Sequence, residues 1–150
     1  MLRKIMGITL TLALLFSASA NAQGRMGFVG KIFDKKEAKT LFGEVKKSFE
    51  LKPNILKQAL LRAKDYVLIV VKNGRISIAN EKKQVLAGEV QAISGLETTS
   101  YAFSKDKVAE FISLIGSSAI QVEERSSTLT LTASDITLEM SMPCPPLCFE

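Results

Sequence analysis

The stretch YVLIVVKNGRISI (Tyr66–Ile78) decides the fold class. Tyr66–Lys72 is rich in branched and aromatic side chains, Asn73-Gly74 follows, and Ile76 and Ile78 then alternate with Arg75 and Ser77. Both central residues of a type I′ turn need positive φ, so Asn-Gly between two such runs predicts a β-hairpin. Working outward toward the C-terminus, Gln84–Ile93 reads as a third strand and Thr98–Phe103 as another. Ala119–Arg125, Thr128–Ala133 and Ile136–Met142 follow, with Leu129 and Leu131 alternating against threonines, and Ile136, Leu138, Met140 and Met142 against polar residues. That alternation predicts antiparallel sheet with one buried face. Pro143 is expected to end the last strand, ahead of a stiff Cys/Pro-rich tail.

Between and before the strands the period changes to that of a helix. Asp34-Lys35-Lys36-Glu37 has the form of a capping box, and Ala38, Leu41, Phe42 and Val45 recur behind it at helical spacing, interrupted by Gly43. Ser48–Leu51 is a short candidate strand. Pro53 suits the first turn of a second helix, whose stripe is Ile55, Leu56, Ala59, Leu60 and Ala63. Ser104 is a candidate N-cap for a third, with Val108, Phe111, Ile112 and Ile115 as its apolar stripe and Gly116 as its stop. The sum is an α+β fold: antiparallel sheet with about three helices packed on it, as one domain over residues 34–143, after a flexible lead-in (23–33) and before the tail (144–150).

From Ser48 onward the expected order is β-α-β-β-β, twice. Sliding one half by 52 residues sets Leu51 on Phe103, Leu56 on Val108, Ala59 on Phe111, Leu60 on Ile112 and Val70 on Val122. The helix FSKDKVAEFISLIG and the strands AIQVEERSSTLTLTASDITLEMSM after it give the second unit. A doubled unit of this kind resembles one domain of the bacterial DNA sliding-clamp family. The resemblance implies helices that face a nucleic acid, with Lys57, Arg62 and Lys64 in the corresponding positive positions. Clamp rings contain several such domains per circle and act in the cytosol.

The first 22 residues point elsewhere. MLRKIMGITLTLALLFSASANA has a basic start (Arg3, Lys4), an apolar core at Ile8–Phe16 and a small-x-small ending at Ala20-Asn21-Ala22. This is the pattern of a cleaved secretory signal peptide, with the cut before Gln23. The apolar core is short of the roughly 20 residues a spanning helix needs. The expected location is therefore the periplasm or the outside of the cell. Export also favours an intramolecular disulfide between Cys144 and Cys148, with a bridge between two chains as the alternative.

Catalytic chemistry finds little support. The chain has no histidine, which removes the commonest general base and transition-metal ligand and every Ser-His-Asp or Cys-His arrangement. Two thiols without histidine do not make a zinc site. Phosphate-binding glycine motifs are missing, and Glu123-Glu124 are neighbours in a strand, pointing to opposite faces. No catalytic residue, metal or cofactor is expected. Charge is the stronger signal. Residues 23–75 carry 13 bases against 5 acids, net +8, and residues 76–150 carry 5 against 10, net −5. The candidate anion-binding residues are Lys35, Lys36, Lys39, Lys46, Lys47, Lys57, Arg62 and Lys64. Their partner would be an anionic polymer, a lipid surface or an acidic protein, and the competing, favoured reading is mutual neutralisation within the fold. The expected function is non-enzymatic binding or structural support in the cell envelope. The alternatives are an anionic-polymer or nucleic-acid binder with a clamp-like fold, and a small hydrolase whose acids converge from distant strands.

Overall fold

A computed structural model describes residues 29–88, 100–126 and 128–139, and the backbone of 142–144. The chain enters through β1 (Lys31–Asp34) and α1 (Lys35–Phe42). The first repeated unit is β2 (Lys47–Leu51), α2 (Pro53–Arg62), β3 (Tyr66–Lys72), β4 (Arg75–Ala79) and β5 (Val85–Gly88). The second is β6 (Ser100–Ser104), α3 (Lys105–Ile115), β7 (Ile120–Glu124), β8 (Leu129–Ala133) and β9 (Ile136–Glu139), and β10 (Met142–Cys144) follows. Two antiparallel sheets result, ordered β1-β9-β8-β7-β2 and β10-β6-β3-β4-β5. The fold is α+β, as the alternation and the helical stripes indicate.

The two units exchange their first strands. β2 pairs with β7 of the second unit, Leu51 opposite Ile120, and β6 pairs with β3 of the first, Phe103 opposite Val67. Inner faces of both sheets and the buried stripes of α2 and α3 form one core, in which Leu56, Phe103, Phe111, Val122, Leu131 and Leu138 are wholly buried. Ala38, Phe33 and Phe42 lie outside that core. Phe33 is opposite Thr137 in the β1–β9 ladder, and its ring meets Phe42 edge-on at 5.2 Å. α1 thus packs on the outer face of the first sheet at β1 and β9, opposite α2 and α3, and the chain after it reaches Arg125 beyond β7 through the Gly43 carbonyl.

That cover explains why the polar members of the alternating strands are buried too. Glu123, Arg125, Thr130, Thr132 and Thr137 are all less than a tenth exposed. Glu123 Oε2 accepts from Arg125 Nη2 at 2.7 Å, Thr132 Oγ1 at 3.0 Å and Thr130 Oγ1 at 3.1 Å. Arg125 also donates to Thr130 Oγ1 through Nε and to the Gly43 carbonyl through Nη1. The expected half-buried sheet is therefore buried on both faces here, with a satisfied hydrogen-bond network under the helix. On the outer face of the second sheet Leu68, Val70, Ala79 and Ala102 form a small separate buried cluster, with the buried Ser77 and Ser100 opposite Val70.

Several local expectations shift. α1 ends at Phe42 because Gly43 takes φ +79° and closes the helix by donating to the Lys39 carbonyl, so Val45 is no longer helical. Ser104 stands at the N-cap of α3, but its hydroxyl accepts from Val29 N instead of capping the helix. Strand structure is present from Lys31, three residues before Asp34, because β1 pairs with β9. Pro143 does not end a strand. It sits within β10, an edge strand, opposite Tyr101, where a missing N–H is tolerated. The repeat spacing is 52 in the helices, where Leu56, Ala59 and Ala63 match Val108, Phe111 and Ile115 in burial. It becomes 53 in the strands after them, since the connection beyond α3 (Gly116–Ala119) holds one more residue than the one beyond α2 (Ala63–Asp65). Ile69, not Val70, is the counterpart of Val122, and both belong to the common core.

Candidate functional site

Among the described residues, β2 and β5 each have a neighbour on one side only, and these two open sheet edges bound the same groove. The groove holds about 420 Å³. Phe49, Leu51, Ile55 and Ile76 give it an apolar lining, and Glu50 and Lys52 contribute a charge of each sign from exposed positions. The lining follows from local sequence. β2 turns Phe49 and Leu51 inward, Pro53 starts α2 directly after it and brings up Ile55, and the Asn73-Gly74 turn carries Gly74 over the Phe49 ring. Gly88 closes the far side with φ +114°. A Cβ there would stand 2.6 Å from the Ile76 carbonyl oxygen and the Ser77 Cα, so only glycine allows β5 to approach β4 this closely.

The chemistry of the groove follows from its lining. The groove offers apolar contact, backbone hydrogen-bonding groups of two strand edges, and no nucleophile beside a base. No group of three metal-ligating side chains occurs among the described residues. The one resolved perturbation of an ionisable group is elsewhere: burial, followed by the carboxylates of Glu124 and Glu139, holds the Tyr101 phenol above its ordinary 10.0.

The eight candidate cations do not form one patch. Lys35, Lys36 and Lys39 are exposed on α1, on the outer side of the first sheet, with Lys46 just beyond it, whereas Lys47 opens β2 on the same face as Phe49 and Leu51. Lys39 pairs with Glu44 at 3.0 Å, and Lys47 faces Glu124 across the β2–β7 ladder. Lys57 and Arg62 lie on α2, behind the opposite face. Lys57 Nζ is 3.4 Å from the Gly116 carbonyl oxygen at the end of α3, and Arg62 Nη1 donates to the Leu86 carbonyl at 2.7 Å. Lys105 reciprocates by donating to the Ala63 carbonyl at the end of α2 at 2.7 Å. Each helix thus places a cation at the other's negative pole. Lys64 is exposed in the turn after α2. Asp106 and Glu110 bring opposite charge to the same helix pair, with Lys107 bound to Glu110 at 2.7 Å.

Cys144 stands at the end of β10, opposite Ser100, while Cys148 and the expected disulfide lie outside the described residues, as does the leader. The groove was not among the sequence candidates. From sequence, Phe49 is only part of a short candidate strand, and Ile55 and Ile76 belong to the apolar members of a helix stripe and an alternating strand. The usable signal was Gly88, an isolated glycine inside a strand pattern, which marks close backbone approach. No family model matches this chain, and no curated protein or solved structure gives a match.

Proposed function

We propose that this is a non-enzymatic binding protein of the cell envelope, and that its ligand is a short extended segment with an apolar side chain, held in the groove between β2 and β5. The observation that carries the reading is the placement of two open strand edges around one apolar-lined space of about 420 Å³. An extended backbone can add to an open edge while its alternate side chains fill the pocket. Export rests on the leader pattern. The test is a methyl-detected NMR titration of the chain from Gln23 with a blocked peptide of alternating serine and leucine. Shifts confined to Leu51, Ile55 and Ile76, and abolished by Ile55→Glu, support the site. Shifts centred on other residues, or none at saturating peptide, reject it.

The doubled unit favours a second reading, a clamp-like binder of nucleic acid across α2 and α3. Against it stand the carbonyl contacts of Lys57, Arg62 and Lys105 and the acids on α3, which leave that helix pair with mixed charge. Retention on duplex DNA that falls steeply with salt and is lost on reversing Lys57, Arg62 and Lys64 would favour it.

A further inference from the structure

The two open edges that bound the groove are not equivalent. The pairing of β5 with β4 shifts register between Ile78 and Ala79, and β5 ends on Gly88 at φ +114°. Such irregularities twist an edge away from a regular ladder and guard it against a further strand. β2 has none: Lys47–Leu51 pairs with β7 at five successive positions without a shift. Its side chains alternate, with Phe49 and Leu51 on the inner face and Ser48 and Glu50 on the outer one. Lys52 keeps extended backbone (φ −67°, ψ 131°) and so continues the outer row before Pro53 starts α2. Lys47 has Glu124 opposite it, and the Ser48 hydroxyl donates to the Gln121 side-chain oxygen. Glu50 and Lys52 are exposed, line the groove and have no ion-pair partner among the described residues.

We propose, resting on the reading of the groove as a binding site, that β2 is the edge that takes the ligand strand, that the strand adds antiparallel, and that Glu50 and Lys52 select it by charge. Antiparallel pairing is the more stable per residue, and every described ladder in both sheets is antiparallel. Residues directly opposite one another in a ladder share a face, where opposite charges stabilise and like charges destabilise. A strand lying antiparallel along β2 therefore meets, in its own chain order, Lys52, Leu51, Glu50 and Phe49. Complementarity calls for an acidic, an apolar, a basic and an apolar residue in that order. The two apolar side chains enter the lined space, and the two charges pair on the outer face. A strand with its charges exchanged sets like against like at both positions. The partner is thus an extended segment of the pattern acidic-apolar-basic-apolar, and Glu50 and Lys52 are the residues that determine its specificity.

The test is a methyl-detected titration of the chain from Gln23 with two blocked peptides of one composition, Ser-Glu-Leu-Lys-Leu-Ser and Ser-Lys-Leu-Glu-Leu-Ser. The first should bind several-fold more tightly, with a preference that shrinks as salt is raised. Glu50→Lys/Lys52→Glu keeps the net charge and alters only exposed side chains, and it should invert the preference. Where Ile55→Glu abolishes binding, the groove stands as the site, and three results then overturn the proposal alone. They are equal affinity for the two peptides, tighter binding of the second by the wild type, and a preference that the charge exchange does not invert. Shifts confined to Val85 and Leu86 overturn it as well, since they move the ligand to the β5 edge. Glu50-Leu51-Lys52 itself has the acidic-apolar-basic order. A dimer of the free protein that Glu50→Lys dissociates therefore overturns the proposal by assigning the edge to a second copy. Binding of neither peptide, or binding indifferent to Ile55→Glu, removes the groove as the site and the charge selection with it.

Discussion

Replacing Arg125 by methionine removes a cation whose side chain is 3% exposed, leaving the Glu123 carboxylate, 9% exposed, with only Thr130 and Thr132 as donors. Breaking a buried pair by deleting one partner costs about 3–5 kcal/mol, because the remaining charge is left uncompensated. The Gly43 carbonyl loses its donor in the same step, which adds about 1 kcal/mol. For a domain whose total stability is of the order of 5–15 kcal/mol, the single variant should lose a large share of it. Glu123→Gln/Arg125→Met should lose less than Arg125→Met alone, since a neutral amide oxygen still accepts from both threonines and no charge is stranded. A double-mutant cycle should therefore show coupling of about 2–4 kcal/mol. Urea denaturation followed by far-UV circular dichroism supplies the numbers, provided the slope with denaturant is shared by all four proteins. A cost below about 1 kcal/mol for Arg125→Met, the range of exposed ion pairs, would refute the account of α1 as a lid over a buried charge network.

Leu56→Ala should cost about 2–5 kcal/mol in the same assay, as deletion of a wholly buried side chain does, whereas Leu60→Ala, at a half-buried position, should stay near 1 kcal/mol. Equal costs would place α2 on the wrong face. For Tyr101 the folded state holds the proton more tightly than the unfolded chain does. Its contribution is therefore fully present below about pH 10 and is lost as pH rises through the folded-state value. The difference in unfolding free energy between the wild type and Tyr101→Phe should be flat below that pH and shrink above it. A difference that grows with alkalinity would contradict burial and the two carboxylates as the cause.

What was legible in the sequence was what neighbours along the chain determine. Asn73-Gly74 marked its hairpin, and the stripes of α2 and α3 were correct wherever four-residue spacing met large apolar side chains. Errors arose where a distant partner decides. Lys31–Phe33 looks like a loose lead-in until β9 supplies its ladder, and Pro143 looks like a stop until the edge position of β10 is known. The slip from Ile69 to Val70 came from one residue in the turn after α3, and in a strand one residue exchanges the two faces. Buried Thr130, Thr132 and Glu123 could not be told from solvent-facing residues, because the chain crosses their face, through α1 and the Gly43 segment bound to Arg125, on its way from β1 at one edge to β2 at the other. The groove was invisible for the same reason: Phe49, Ile76 and Gly88 meet only when two sheet edges come together.

The exchange of first strands has a consequence for how the chain reaches its native state. Neither β-α-β-β-β unit contains a complete sheet, so neither is an independent folding unit, although the two look like tandem copies. Across the β2–β7 ladder the Ser48 hydroxyl donates to the Gln121 side-chain oxygen, 73 positions away, and the β1–β9 ladder spans a longer loop still. The entropy of closing such loops has to be met before those contacts return anything, which places the protein among slow folders for its length. A chain released segment by segment, whether from a ribosome or a translocation channel, would hold β2 without its ladder partner until β7 arrives. For most of its emergence the first half would present an unpaired strand and an uncovered apolar helix face, the kind of surface that holding chaperones bind.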